Sequence, residues 1–282
     1  SRQVDKMLQQ GDKINIIACS NGLLDSQSKQ IENLYMILKK AGLIPVLSPY
    51  LYRQESVFAT DAKNRAKVLM DSYNDNEIKA IFDVSGGNIA NEILDLLDYD
   101  LIKRNPKPFW GYSDLTTVIN ALYHQTGQCE YLYQIRNILL KQQYDDFNNS
   151  VFLNQNDLYD FSYCFIQQTQ MSGVVVGGNI RCFLKLAGTK YLPDFSNRIL
   201  FLESYSGDVA LMTTYLTQLK QMGVFQKISG LLLGTFTEME RNNEYPDIVA
   251  LATRIINDKN LAIAKTDDIG HSRNSKCLII GE

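Results

Sequence analysis

Three short segments, far apart in the 282-residue chain, carry the side chains of a candidate nucleophile, base and orienting carboxylate. They are Gly111-Tyr112-Ser113-Asp114, Leu202-Glu203-Ser204 and Gly270-His271-Ser272. If the fold brings them together, an imidazole oriented by a carboxylate can take the proton of the serine hydroxyl. The segments therefore predict nucleophilic acyl chemistry at a site built from both halves of the chain.

Ser113 lies at a predicted strand-turn-helix junction. The apolar run Pro108-Phe109-Trp110 precedes it, and a helical stripe follows at Leu115, Val118, Ile119 and Leu122. A hydroxyl at a helix N-terminus faces outward N–H groups that favour developing negative charge. Serine before aspartate at a helix start is also the usual pattern of an N-cap, so the motif alone leaves both interpretations open.

The chain has two histidines, and only one of them is placed where it could act as the base for Ser113. His124 is eleven residues after Ser113 on the same predicted helix, which separates them by roughly 16 Å. We expect His124 to lie on a solvated polar stripe with Thr117 and Asn120. His271 follows Gly270 in a segment rich in turn residues, where an imidazole can face a cleft. His271 is therefore the candidate base, with an ordinary surface histidine as the alternative.

Glu203 ends an apolar run, Ile199-Leu200-Phe201-Leu202. A carboxylate at the tip of a buried strand either needs a partner or lies in a site, so a structural salt bridge is its alternative role.

The turn Gly86-Gly87-Asn88 follows a predicted strand and lacks the glycine and lysine spacing of a nucleotide site. A glycine of this turn and the residue after the nucleophile, Asp114, can instead aim backbone N–H groups at a carbonyl oxygen. Cys19, also at a strand end, is a rival nucleophile, although a buried small thiol is its more ordinary role.

Composition excludes several function classes. A net charge of -3 gives no basic excess for nucleic acid, and no apolar run approaches the roughly 18 residues of a membrane span. Residues 1–6 lack the apolar stretch of a signal peptide, which predicts a cytoplasmic protein. The five cysteines include no C-x-x-C pair, which predicts free thiols. With only two isolated histidines besides, we expect no metal site and no cofactor.

The elements that must position these groups alternate in the manner of an α/β protein. Strands are expected at residues 14–18, 44–47, 80–84, 199–202, 231–233, 261–264 and 277–280. The pattern predicts an N-terminal wound α/β domain with a parallel sheet, residues 1–128, which bears the nucleophile. A polar, weakly patterned connection, 129–170, leads to a smaller C-terminal α/β domain, 171–282, which carries the glutamate and the histidine. The active site would lie at the domain interface, beyond the carboxyl ends of the strands.

Taken together, these residues resemble the LD-carboxypeptidase family of serine peptidases, which also holds the microcin C self-immunity proteins. The likeness spans nearly the whole chain and rests on the order and spacing of several motifs. They are Gly11-Asp12-Lys13-Ile14, Ser85-Gly86-Gly87-Asn88, Gly111-Tyr112-Ser113-Asp114, Gly177-Gly178-Asn179, Leu200-Phe201-Leu202-Glu203, Gly230-Leu231-Leu232-Leu233-Gly234 and Gly270-His271.

The resemblance implies a nucleophile at Ser113, a general base at His271 and its orienting partner at Glu203. It also implies an oxyanion hole from the backbone N–H groups of Gly87 and Asp114. The implied protein is a cytoplasmic, metal-independent homodimer that releases terminal D-alanine from murein tetrapeptides. Two alternatives stay open: an immunity-type amidase that cleaves a peptidyl- or aminoacyl-nucleotide, and an inactive protein that binds peptidoglycan fragments.

Overall fold

Two β-sheets organise this computed structural model, which describes residues 6–282. The first sheet contains β1 (Lys13–Ile17), β2 (Ile44–Leu47), β3 (Ile78–Asp83), β4 (Phe109–Gly111), β5 (Glu130–Leu132) and β11 (Leu278–Ile280). The second contains β6 (Cys164–Gln167), β7 (Val174–Asn179), β8 (Arg198–Ser204), β9 (Gly230–Phe236) and β10 (Ala262–Lys265). This arrangement confirms the predicted α/β class. Residues 1–5, which bear on the expectation about a signal peptide, lie outside the described residues.

Both sheets are parallel apart from one edge strand each. The first has the order β11-β5-β4-β3-β1-β2, and the second has the order β6-β10-β9-β8-β7. Only β11 and β6 run antiparallel to their neighbours in these sheets. The chain runs from β1 to β2 on one side of it and then crosses back to β3 on the other side. The crevice above β1 and β3 is therefore a topological switch point.

Helices cover the faces of these sheets. They are α1 (Ser28–Lys40), α2 (Ala62–Asn74), α3 (Tyr99–Arg104), α4 (Thr116–Thr126), α5 (Lys141–Phe152), α6 (Ile180–Phe183), α7 (Val209–Gln221), α8 (Val224–Lys227), α9 (Thr237–Arg241) and α10 (Ile248–Ile256). In the part of the chain that the structure describes, none of them is long and apolar enough to cross a bilayer.

Large apolar side chains fill the space between the first sheet and its helices. Trp110 on β4 is fully buried, stacks on Tyr131 and meets the edge of Phe147 from α5. On the other face of the sheet, Ile81 and Phe109 pack against a helical layer formed by α2 and α4. Burial on both faces explains why these strands read as continuous apolar runs in the sequence.

Helix α4 lies between the two sheets, and this corrects one expectation. Thr117 and Asn120, expected on a solvated stripe, are completely buried. Asn120 Oδ1 accepts from Gly177 N–H at 3.0 Å, and its Nδ2 donates to the Gly177 carbonyl at 2.9 Å. The polar side of the helix is therefore matched to the backbone of β7, because the second sheet covers the face that a two-layer arrangement would leave in water.

Residues 129–170, predicted as a connection, carry regular structure. They contain β5, a 3₁₀ helix at Ile135–Leu139, α5 and β6. Helix α5 buries Gln143, Asp146, Phe147, Ser150 and Val151, so its polar composition hides a packed face. The last strand, β11, returns to pair with β5 in the first sheet. The exact division into domains stays a prediction.

Candidate active site

Ser113 occupies a sharp turn between β4 and α4, as the sequence predicts. Its φ of 56° lies in the left-handed region, which is costly for a residue with a β-carbon. The turn is tight: a Cβ on Gly111 would stand 2.8 Å from Leu115 Cβ, and Leu115 N–H donates to the Tyr112 carbonyl at 3.0 Å. Such a turn presents a hydroxyl above the carboxyl end of the sheet.

His271 projects from the loop between β10 and β11. Gly270 lets this loop press against β9, since a Cβ there would overlap Thr235 Oγ1 at 1.6 Å. The imidazole is flanked by Tyr112 and Tyr205, each with its ring centroid 5.1 Å away. Because both neighbours are aromatic, the ring has few alternative orientations.

The imidazole bridges the serine and the glutamate. Its Nδ1 is 2.7 Å from Glu203 Oε2, and its Nε2 is 3.3 Å from Ser113 Oγ. Glu203, near the carboxyl end of β8, is completely buried, and its other oxygen accepts from Asn179 Nδ2 at 3.3 Å. With the Nδ1 proton directed to the carboxylate, Nε2 is free to accept the serine proton. The structure thus brings the three predicted side chains into hydrogen-bond reach.

The glycine turn lies beside the serine. A Cβ on Gly86 would stand 4.0 Å from Ser113 Oγ, so glycine keeps this space open. Gly87 has a φ of 121°, and a Cβ there would strike the Asn21 side chain. Asn21 fixes the turn, since its N–H donates to the Gly86 carbonyl and its Oδ1 accepts from Asn88 N–H. The hydrogen bond from Asn21 therefore fixes the Gly86–Gly87 peptide through its carbonyl group. The N–H group of the same peptide is a predicted oxyanion donor.

Asp114 has a buried side chain with several partners. Its Oδ2 accepts from Ser20 Oγ at 2.6 Å and from Ala90 N–H at 2.9 Å. Its Oδ1 pairs with Lys185 Nζ at 2.5 Å, and the same ammonium donates to the Asn88 carbonyl at 2.9 Å. One cation from the second half of the chain thus joins the residue after the serine to the glycine turn.

A second cation supports the same turn. Arg181, on α6, donates from Nη2 to the Gly87 carbonyl at 2.9 Å. Helix α6 begins at an N-cap, Asn179, whose Oδ1 accepts from Cys182 N–H at 3.1 Å while its amide nitrogen reaches Glu203. The segment Asn179–Lys185 therefore touches both the carboxylate and the glycine turn.

Cys19, the rival nucleophile, is unsuited to that role. It is buried, and burial together with the nearby Asp83 raises the pKa of its thiol well above the ordinary value. A thiol held protonated in the core is a poor nucleophile. Among residues 6–282, no cluster of histidine, cysteine, aspartate or glutamate is arranged to hold a metal ion.

A pocket of about 350 Å³ opens at the serine and the histidine. Its walls come from the turn around Ser113, the histidine loop and the 3₁₀ helix Ile135–Leu139. Arg136 and Arg273 line it. The pocket lies between elements of both halves of the chain, where a ligand would contact the Ser113 and His271 side chains directly.

Sequence reasoning missed the residues that support the site. Asn179 had a usable signal, because Gly177-Gly178-Asn179 repeats the Gly86-Gly87-Asn88 pattern at a strand end. Lys185 and Arg181 had none, since their partners are 71 and 94 positions away. Such contacts depend on how the two halves dock.

Two family models match the chain and together cover most of it. The LD-carboxypeptidase N-terminal domain matches residues 14–134, and the LD-carboxypeptidase C-terminal domain matches residues 172–282. The chain belongs to the LD-carboxypeptidase family. This membership confirms the resemblance inferred from the sequence motifs.

Individual relatives within the LD-carboxypeptidase family are distant but extensive. The "Probable murein peptide carboxypeptidase" of Bacillus subtilis is 26% identical over 82% of this chain and 74% of its own length. The microcin C7 self-immunity protein MccF of Escherichia coli is 24% identical over 78% and 74%, respectively.

Solved structures share the whole fold. An MccF-like protein from Bacillus anthracis is 25% identical, with a TM-score of 0.85 over 97% of this chain and 92% of that one. MccF in complex with glutamyl sulfamoyl guanosine is 21% identical, with the same TM-score and coverage.

Proposed function

We propose that this chain is a serine peptidase that removes a terminal D-amino acid, D-alanine, from murein tetrapeptides. The observation that carries the proposal is the His271 ring, whose two nitrogens lie within reach of the Ser113 hydroxyl and the Glu203 carboxylate. Family membership and the B. subtilis relative named as a murein peptide carboxypeptidase support the substrate class.

In the proposed first step, Ser113 Oγ attacks the carbonyl carbon before the terminal residue while His271 Nε2 takes the hydroxyl proton. The carbonyl oxygen becomes an oxyanion, which the N–H groups of Gly87 and Asp114 would bind. Glu203 stabilises the imidazolium. The C–N bond then breaks as the imidazolium gives its proton to the leaving amine, and an acyl-enzyme ester remains.

In the second step, His271 takes a proton from water, and the resulting hydroxide attacks the ester of Ser113. Collapse of this second tetrahedral intermediate breaks the ester bond, returns the proton from His271 to Ser113 Oγ and frees the shortened peptide as a carboxylic acid. No metal or organic cofactor enters this sequence of steps.

An amidase that cleaves an aminoacyl-nucleotide is the second candidate. Its support is the match to MccF, together with Tyr205, which is 52% exposed beside the His271 ring and offers a free aromatic surface. An exposed aromatic ring at an active site can stack on a nucleobase. The chemistry at Ser113 would be the same for both substrates.

We further propose that the protein acts in the cytoplasm, on peptides recovered from the cell wall, and as a homodimer. The family resemblance supports the compartment and the assembly. Cys19, Cys129, Cys164 and Cys182 are free thiols, which suits a reducing compartment.

Release of D-alanine from a murein tetrapeptide tests the proposal, with amide hydrolysis of an aminoacyl sulfamoyl nucleotide measured in parallel. We expect Ser113→Ala to lower kcat at least about 10⁴-fold and Glu203→Gln to lower it about 10³- to 10⁴-fold. Ser26→Ala, at an exposed position, is the matched control. Turnover of neither substrate by the wild-type protein would leave only the inactive binding protein, and undiminished turnover by Ser113→Ala would refute the assigned nucleophile.

A further inference from the structure

We propose that the pocket beside Ser113 contains a subsite for a substrate carboxylate and that Arg136 recognises it. This inference rests on the proposed peptidase function. The subsite belongs to the 350 Å³ pocket that Ser113 and His271 also line, so a ligand held there contacts the reacting groups. Removal of a terminal residue requires such recognition, because a free carboxylate distinguishes the end of a peptide from its interior.

The pocket has a positive charge. Arg136 and Arg273 line it, and no aspartate or glutamate is among the residues of its wall within the described chain. The other polar groups there, including Gln134 and Asn137, are neutral. A pocket with cations and without acids favours an anionic ligand.

Arg136 is a largely buried cation without a matching anion. Its Nη1 donates to Gln30 Oε1, a neutral amide oxygen, at 3.1 Å, and its Nε is buried without a hydrogen-bond partner. Burial lowers the pKa of the guanidinium, and Asp83 is the acid that opposes this effect. Burial also raises the pKa of Asp83, which weakens it as a counter-ion.

Buried charges in proteins are normally paired, because removal from water without a partner is costly. No ion pair in the described part of the chain includes Arg136. The carboxylate of a substrate would supply the missing negative charge and accept hydrogen bonds from the unused N–H groups of Arg136. The planar guanidinium suits this ligand, since its fork of donors matches the two oxygens of a carboxylate.

The backbone of Arg136 is held in place. It lies in the 3₁₀ helix Ile135–Leu139, whose N-cap, Gln134, accepts from Arg136 N–H through its side chain. Ile135 and Ile138 anchor the same turn in the core. Arg273, by contrast, is exposed in the histidine loop, where solvent weakens its attraction for an anion.

Two carboxylates on the residues that flank the scissile bond of a murein peptide fit this chemistry. One is the terminal carboxylate of the D-residue, and the other is the side-chain carboxylate of a diamino acid at the third position. The α-carboxylate of the γ-linked D-glutamate lies one residue further away and is common to all the peptides tested. Three peptides separate the first two: L-Ala-γ-D-Glu-L-Lys-D-Ala, its C-terminal amide, and the same tetrapeptide with diaminopimelate in place of lysine. Binding to the Ser113→Ala protein is measured by calorimetry, and release of the terminal residue is measured with Ser113 intact.

We expect the Ser113→Ala protein to bind the free acid about 10- to 100-fold more tightly than the amide. Adding Arg136→Gln removes this preference, and Arg136→Lys restores part of it. With Ser113 intact, Arg136→Gln raises KM about 10- to 100-fold and changes kcat little. Arg254→Gln, an exposed position on α10, is the matched control and leaves all values unchanged.

The outcomes separate the subsite from the peptidase function. If Arg136→Gln weakens only the diaminopimelate peptide, the subsite stands and its ligand is the side-chain carboxylate. If the wild-type protein releases no D-alanine while binding still depends on Arg136, the peptidase proposal fails and the subsite stands. Equal binding of all three peptides with and without Arg136, or no binding of any, overturns the subsite.

Discussion

Lys185 offers the sharpest test of how the second half of the chain supports the proposed oxyanion hole. Its Nζ lies 2.5 Å from Asp114 Oδ1 and 2.9 Å from the Asn88 carbonyl. Lys185→Met keeps most of the stem of the side chain and removes the charge. The change leaves the Asp114 carboxylate, which is completely buried, without its cation.

The expected cost follows from this environment. Removing one partner of a buried ion pair destabilises a protein by about 3–5 kcal/mol. Asp114 keeps its hydrogen bonds from Ser20 and Ala90, and the Lys185 side chain is 19% exposed, so the lower end applies. We expect a loss of about 3 kcal/mol in the free energy of unfolding, which lowers Tm by roughly 6–12 °C.

Catalysis should fall as well. The lost ammonium also held the turn that presents Gly87 N–H, and removal of one oxyanion donor costs about 10²- to 10³-fold in kcat. Lys185→Met shifts these donors without removing them, so we expect a fall of about 10- to 100-fold in kcat. Asp114 N–H, on the residue paired with the lysine, would be affected in the same way.

The assays are urea unfolding followed by circular dichroism and the release of D-alanine. Lys227→Met is the matched control, since Lys227 is exposed at the end of α8, and it should change stability by less than about 0.5 kcal/mol. Combining Lys185→Met with Asp114→Asn should recover part of the stability, because the unpaired charge is gone. A Lys185→Met protein with wild-type stability and kcat would refute the account of this cluster.

Two further changes test the fold and its pH dependence. Burial raises the pKa of Glu130 well above its ordinary value, so the folded state holds a proton that the unfolded state has lost, and stability falls as pH rises above about 4.5. Glu130→Gln should remove this dependence. Urea unfolding of the variant and the wild type should then give similar stabilities near pH 4, and the variant should be increasingly the more stable of the two at higher pH. If the stabilities of the two proteins change in parallel with pH, Glu130 does not hold the assigned proton. Asn120→Ala leaves both backbone groups of Gly177 without their partner and should cost about 2–4 kcal/mol in unfolding free energy, and a loss below about 1 kcal/mol would show that this bridge between the sheets is unimportant.

Much of the fold could be predicted from local pattern. Buried parallel strands read as apolar runs, and the turn before α4 was visible in the change from the run at residues 108–110 to a helical stripe. The apolar stripe of α4 could not show that the opposite, polar face of this helix is also buried. Asn120 and Thr117 are polar, and only the position of β7 makes them core residues.

The side chains of Ser113, Glu203 and His271 lie together in the structure, whereas the residues that support them could not be predicted from the sequence. Ser113, Glu203 and His271 could be chosen because each follows a recognisable strand or turn signal. Lys185 follows no periodicity that points to Asp114. Its role emerges only from the docking of α6 and the turn that follows it against the first half of the chain.

The loop that carries His271 is tethered to a different sheet at each end. It leaves β10 in the second sheet and enters β11, which hydrogen-bonds to β5 in the first. The position of the imidazole is therefore set by both sheets at once. The proposed proton transfer from Ser113 to His271 thus depends on the packing of one sheet against the other, since Ser113 follows a strand of the first sheet and Glu203 lies on a strand of the second.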